Sequence, residues 1–177
     1  RLDETSAPGA GFLAEVVREW EAAAEPASAA GIRVVLPRFG VVLSARGGAL
    51  AKLLTPFRLG VGGKVGSGRQ WMPWLSLDDA VEIVVRALRD PSLSGPVNAV
   101  AGAVTNAEFT RTLARVLGRP ALVPVPAFAL KLLFGEMAEG TILVSLRVEP
   151  RRLEALGFPF HHPRLDAALR AALAGAG

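Results

Sequence analysis

The chain has 177 residues, 51% of them apolar, with 20 lysines and arginines against 16 aspartates and glutamates, a formal charge of +4 and a pI near 10.6. That length allows one ordinary domain core, and the arginines that raise the pI lie scattered among glutamates, which argues against a nucleic-acid surface. Mean hydropathy is +0.37, yet the uncharged stretch 91–107 is broken by Pro91, Gly95, Pro96 and Gly102, so no membrane partner is expected.

Residues 1–11 read as a polar loop containing Pro8, Gly9 and Gly11. From Phe12 the pattern Phe12, Val16, Trp20, Ala24 marks one apolar face of a helix that Pro26 should end or kink. Gly31 then separates it from Ile32-Arg-Val-Val-Leu36, a β-branched run that predicts a strand buried on both faces, as in a parallel sheet. A helix followed by such a strand is half of a βαβ unit, and the expected preceding strand is not in the sequence. Arg1-Leu-Asp-Glu-Thr-Ser carries charges where a signal peptide would not, and no methionine opens the chain. The expectation is a segment from inside a longer protein.

Val41–Leu43 resumes the extended segment, Gly47-Gly48 breaks it, and 49–57 predicts a short helix interrupted by Pro56. Gly60-Val-Gly-Gly and Gly66-Ser-Gly do not form a nucleotide fingerprint, because Lys64 is followed by Val65 and no strand runs directly through the glycines into a helix. The stretch 66–75 reads as a glycine-rich loop carrying Trp71 and Trp74. It is pinned to the start of a long apolar helix by Ser76-x-x-Asp79, a capping box with aspartate in place of glutamate. That helix runs to about Asp90, Val97–Val100 predicts a strand, and Thr105-Asn-Ala-Glu108 caps a second helix ending near Leu117, closed by Gly118. Leu122–Pro126 is extended, 127–134 helical, 135–140 a turn or short helical segment, and 141–148 ambiguous between strand and helix. Pro150 opens a short helix to Leu156, 157–160 is an aromatic turn, and 163–174 predicts a helix with Leu165, Leu169 and Leu173 on one stripe.

The residues that carry chemistry are few. His161 and His162 have no acid or third histidine at ligand spacing and read as structural. Asp78 and Asp79 point roughly 100° apart on a helix and read as capping with one polar contact rather than a carboxylate pair. Glu136 and Glu139 suit either a surface or a pocket. Arg38, at the expected carboxyl end of a strand, suits a structural ion pair or a cofactor or substrate contact, and its charge needs an anion in both cases. Arg69, Gln70, Trp71 and Trp74 bring donors and aromatic faces to one loop. With no cysteine and no tyrosine in the sequence there is no disulfide, no thiolate and no tyrosine–lysine acid-base pair. No complete nucleophile, base and acid set can be drawn. The absence of cysteine is compatible with a cytoplasmic location. On its own the chain reads as inactive, and a noncatalytic interaction or regulatory module remains the second reading.

Leu36-Pro-Arg-Phe-Gly-Val-Val-Leu-Ser-Ala-Arg-Gly-Gly48, the run from Pro56 to Asp79, and Arg147-Val-Glu-Pro-Arg-Arg-Leu-Glu-Ala-Leu-Gly-Phe158 together resemble the atypical extended short-chain dehydrogenase/reductases. Within these they are similar to the NAD-dependent epimerase/dehydratase-like family of sugar-nucleotide epimerase-related proteins. The resemblance implies an α/β fold with a partial Rossmann-like parallel sheet and a smaller mixed α/β substrate-binding region. It implies a carboxyl-terminal portion whose amino-terminal Rossmann half, with Gly-x-x-Gly-x-x-Gly, is missing. Residues 1–45 and 76–100 would be the later part of the NAD(P)-binding domain, and 46–75 with 101–177 the substrate-binding region. Arg38, Phe39 and Gly40 would contact an NAD or NADP cofactor, and Arg69, Gln70, Trp71, Met72 and Trp74 a small-molecule, sugar-nucleotide-like substrate. Gly40 stands where many members have asparagine, Met72 where many have a phosphate-binding arginine, and Ser76 where histidine is frequent. Exposed apolar surface would be covered by the missing half or by self-association. The expected reaction is hydride transfer at a carbonyl or alcohol carbon by an oxidoreductase or epimerase.

Overall fold

The computed structural model describes residues 1–125 and 144–175. The expected segments 127–134 and 135–140, with Glu136 and Glu139, lie outside the described residues.

Two small sheets share their strands' paths. Strand β1 (Val35–Phe39) pairs in parallel with β4 (Gly95–Ala99), in a register that sets Arg38 opposite Asn98. The second sheet has the order β2 (Val41–Leu43), β3 (Trp71–Ser76), β5 (Gly102–Thr105), with β2 parallel and β5 antiparallel to β3. Chain flow joins the sheets twice, from β1 into β2 through Gly40 and from β4 into β5 through Val100 and Ala101. At the first crossing the Gly40 N–H donates to the Ala99 carbonyl (3.1 Å), and at the second the Ala101 N–H donates to Trp74 (2.9 Å). Gly40 is required by space, since a Cβ there would lie 2.9 Å from both the Pro73 carbonyl carbon and Val100 Cγ1.

Helix α4 (Leu77–Arg89) and the short helix α6 (Arg151–Ala155) cover the first sheet, burying Leu75, Ile83, Leu93, Val97, Leu153 and Phe158. Helices α3 (Gly48–Arg58), α5 (Asn106–Leu117) and α7 (Leu165–Ala174) cover the second, around Leu43, Leu50, Phe57, Trp74, Leu113 and Leu169. Both expected caps form. Ser76 Oγ accepts the Asp79 N–H at 3.0 Å and Thr105 Oγ1 accepts the Glu108 N–H at 3.2 Å. Gly118 closes α5 in the left-handed conformation at φ 63°, which only glycine adopts cheaply.

Four expectations are corrected. Pro26 does not end a helix; α1 (Phe12–Ala22) stops before it and Pro26 opens a short α2 (Glu25–Ala29), where its missing N–H costs nothing. The strand expected at 32–36 is shifted to Val35–Phe39. Arg33 instead turns its guanidinium to the carbonyls of Ala87 (2.6 Å) and Leu88 (3.1 Å) in the last turn of α4 and of Leu93 (2.9 Å) in the turn beyond it. The strand's residues are half-buried or exposed rather than buried on both faces. Finally, the expected loop 66–75 becomes strand β3 from Trp71 onward. Pro73 is tolerated there because pairing with β2 begins only at Trp74, so the ladder at Pro73 is one-sided.

Candidate functional site

The carboxyl ends of β1 and β4 form the rim where open α/β sheets place ligands. Arg38 reaches this rim from β1 and is held by α1. Its Nε donates to Glu21 Oε1 and its Nη2 to Glu21 Oε2, both at 2.7 Å, the two-toothed geometry a guanidinium favours. These hydrogen bonds hold the Glu21 carboxyl below its usual range, outweighing a desolvation that acts the other way. They push Arg38 up in return, with the charges of Glu21 and Glu4 adding to the effect. Phe39 ends the strand with its side chain 46% exposed.

On the neighbouring strand, Asn98 is buried and ties down two segments distant in sequence. Its N–H donates to Glu4 Oε1 (3.0 Å) and its Nδ2 to the Glu149 carbonyl (3.0 Å). Glu4 is itself buried; its Oε1 also accepts the Arg152 N–H (3.3 Å), while its Oε2 has no partner among the described residues. The first residues of the chain thereby lie along 147–149, with Leu2 donating to the Arg147 carbonyl (2.9 Å) and accepting from the Glu149 N–H (2.8 Å).

The expected substrate-side residues separate once β3 is a strand, because alternate side chains face opposite ways. Trp71 is half-buried, whereas Trp74 is 2% exposed and belongs to the second core, with Met72 packed against the same cluster. The Trp74 Nε1 is buried without a partner among the described residues, and a Cβ on Gly102 would sit 3.5 Å from it. Gln70 is buried and serves the loop, its Nε2 donating to the Val65 carbonyl (3.2 Å). Asn106 completes this anchor, its Oδ1 accepting the Val65 N–H (2.8 Å) and its Nδ2 lying 3.3 Å from Met72 Sδ. Arg69 is exposed.

Sequence reasoning missed the partners of Trp71. Its N–H donates to Ser145 Oγ (3.0 Å), its carbonyl accepts the Leu146 N–H (3.0 Å), and the Arg147 guanidinium lies 4.2 Å from its ring centroid. Only the recurrence of Arg147 in a resemblance-bearing stretch pointed there. The N–H groups of His161 (2.6 Å) and His162 (3.3 Å) donate to the fully buried Asp79 carboxylate, which also accepts Ser76 Oγ–H at 2.5 Å. Among the described residues no group of histidines and acids could hold a metal, and no helix is long and apolar enough to cross a membrane.

Against known proteins, residues 125–172 match a family model described as a domain of unknown function, DUF1731. The Epimerase family protein Mb2239 of Mycobacterium bovis is 46% identical over 169 residues, covering 95% of this chain and 56% of its own length. A crystal structure of the human epimerase family protein SDR39U1 (isoform 2) with NADPH is 40% identical and superposes at TM-score 0.90, over 97% of this chain and 58% of its own. The fold is that of the epimerase family proteins. A nucleoside-diphosphate sugar epimerase from Corynebacterium glutamicum, also 40% identical, superposes at TM-score 0.79 over 97% of this chain and 33% of its own.

The α/β class, with a small parallel Rossmann-like sheet and a mixed sheet beside it, is thereby shown. The reading of the chain as a carboxyl-terminal fragment is corrected to what the likeness shows, an epimerase-family fold that accounts for 97% of the chain. As a matter of length, the chain spans 56% of the Mycobacterium bovis relative and 58% of the human structure.

Proposed function

We propose that this chain is an NAD(P)-binding, epimerase-like domain whose rim at the ends of β1 and β4 receives the cofactor and a small alcohol- or carbonyl-bearing molecule of the sugar-nucleotide kind. The observation that carries the reading is the superposition at TM-score 0.90 and 40% identity on the NADPH-containing human protein. The residues present fit the nicotinamide end of such a cofactor. Phe39 offers a half-exposed residue at the end of a parallel strand, and the adjoining Gly40 adds no side chain where the Pro73 backbone and the Val100 side chain close in.

In this assignment 1–45 and 76–100 form the cofactor side, with Arg38, Phe39 and Gly40 as its contacts. Residues 46–75 and 101–177 form the substrate side, where Trp71 is a wall and Arg69 an exposed charge, while Gln70, Met72 and Trp74 hold that wall in place. The bound nicotinamide supplies hydride exchange with an alcohol or carbonyl carbon. The chain's own part is orientation: Glu21 fixes Arg38, and Asn98 with Glu4 fixes the segments that flank the rim. Because the sequence contains no tyrosine, a phenol of this chain does not move the accompanying proton.

Calorimetric titration with NADPH and NADH tests the assignment. Saturable binding of at least one, weakened when Phe39→Ala opens the rim, is the expected result; heat of dilution alone with both removes it. Binding without turnover is the second reading, favoured by the missing phenol. Oxidation of the reduced nicotinamide by a carbonyl substrate, followed by absorbance, separates the two.

A further inference from the structure

Trp71 and Arg147 form a pair to which hydride exchange gives no task. Arg147 is exposed, yet its backbone is tied on both sides. Leu146 donates to the Trp71 carbonyl (3.0 Å), and Leu2 bonds to Arg147 and Glu149 (2.9 and 2.8 Å). The ring beneath it is fixed in turn by strand β3 and by the bond from the Trp71 N–H to Ser145 Oγ (3.0 Å). A guanidinium whose carbon lies 4.2 Å over a ring centroid is held against the aromatic face by its charge, and that contact uses none of its five N–H donors. The neighbouring carboxylate is occupied elsewhere, as Glu149 pairs with Arg1 (3.2 Å) and Arg151 (2.9 Å). The strap that carries Arg147 continues to the rim, because the Glu149 carbonyl accepts Asn98 Nδ2 and Asn98 lies opposite Arg38.

The geometry points to Arg147, stacked on Trp71, as the residue that grips the phosphate oxygens of a diphosphate-bearing ligand at this rim. The inference rests on the proposed reading of the rim as the ligand site. A planar fork matches two oxygens of one phosphate, and a fork already immobilised on an aromatic face loses less freedom on binding than a free side chain. Both a dinucleotide cofactor and a nucleoside-diphosphate substrate carry that group.

The test titrates pyrophosphate, UDP and NADPH into the wild-type protein, Arg147→Met and Arg147→Lys, reading affinity by calorimetry and the tryptophan environment by fluorescence. Methionine preserves the apolar stem, so unchanged melting temperatures confirm an intact fold, and Trp71→Phe supplies a second variant that keeps a ring. Arg147→Met is expected to weaken the diphosphate ligand by roughly tenfold to a hundredfold, the scale of a charge-assisted bond. Arg147→Lys should recover only part, and the fluorescence change should vanish in Trp71→Phe. Losses on pyrophosphate and UDP with NADPH unchanged support the inference and assign the phosphate to the substrate. A loss on NADPH alone supports it and assigns the phosphate to the cofactor. Equal affinities of wild type and Arg147→Met for all three overturn it while leaving the proposed function standing, provided NADPH binds. Pyrophosphate binding through Arg147 without NADPH binding does the reverse, and a wild-type protein that binds none of the three overturns both.

Discussion

The pairing of Arg38 with Glu21 makes a definite statement about acid. Arg38's hydrogen bonds lower the folded carboxyl below its ordinary value of 4.5, so the pair stabilises the fold above that pH and the contribution disappears as pH falls through the lowered folded value. With side-chain exposures of 36% and 27%, solvent screening limits the worth to about 1 kcal/mol or less. Glu21→Gln should therefore melt below wild type at neutral pH, with the gap narrowing steadily on acidification below 4.5. A gap that is constant across this range would show that Glu21 acts by packing and not by charge. Gly40 is a stricter case, because the atoms a Cβ would strike include the backbone of Pro73 at 2.9 Å. Gly40→Ala should cost about 1 to 3 kcal/mol in urea unfolding, and a neutral result would mean that the two sheets slide apart at this junction without penalty.

At the scale of elements, the capped ends of α4 and α5 were legible because a capping box is written within four consecutive residues. Strand β3 was not. Glycines, a proline and two tryptophans gave 66–75 the look of a loop, and its ladder partners are Val41–Leu43 and Gly102–Thr105, which no local pattern announces. The same distance hid the site's better parts, since Trp71 meets Ser145 across 74 residues and Asn98 meets Glu4 across 94. Asp79 shows how a local signal was read correctly but incompletely. The box foretold its bond with Ser76, while its acceptance of the His161 and His162 N–H groups (2.6 and 3.3 Å) joins α4 to the turn before α7. Asp79→Asn keeps the size but replaces one acceptor oxygen with a donor, so about 1 to 3 kcal/mol should be lost. Ser76→Ala should lose about 1 kcal/mol, the worth of a cap. Equal losses from the two would reduce Asp79 to a helix cap and deny the link to 161–162.

For the whole molecule, the two sheets raise the question of whether their cores fold together. The chain crosses between them at Gly40 and at Val100–Ala101, and Ala101 packs against both clusters of buried side chains. Such crossings couple the cores through covalent continuity and through the Trp74–Ala101 and Ala99–Gly40 hydrogen bonds (2.9 and 3.1 Å). A single cooperative transition is the consequence, as small domains ordinarily show. Leu153, fully buried under the first sheet, and Trp74, buried under the second, report on the two sides independently. In a protein carrying Trp20→Phe and Trp71→Phe, so that Trp74 alone emits, Leu153→Ala should destabilise by about 2 to 5 kcal/mol. The Trp74 fluorescence transition should then move together with the far-ultraviolet circular dichroism. If the dichroism shifts while Trp74 melts where it did before, the cores are separate units, and a ligand gripped on the β3 side would leave the stability of the β1–β4 side unchanged. If the transitions move as one, occupancy at Trp71 and Arg147 must raise the stability of the entire rim, because anything that binds only the folded state stabilises all of the cooperative unit.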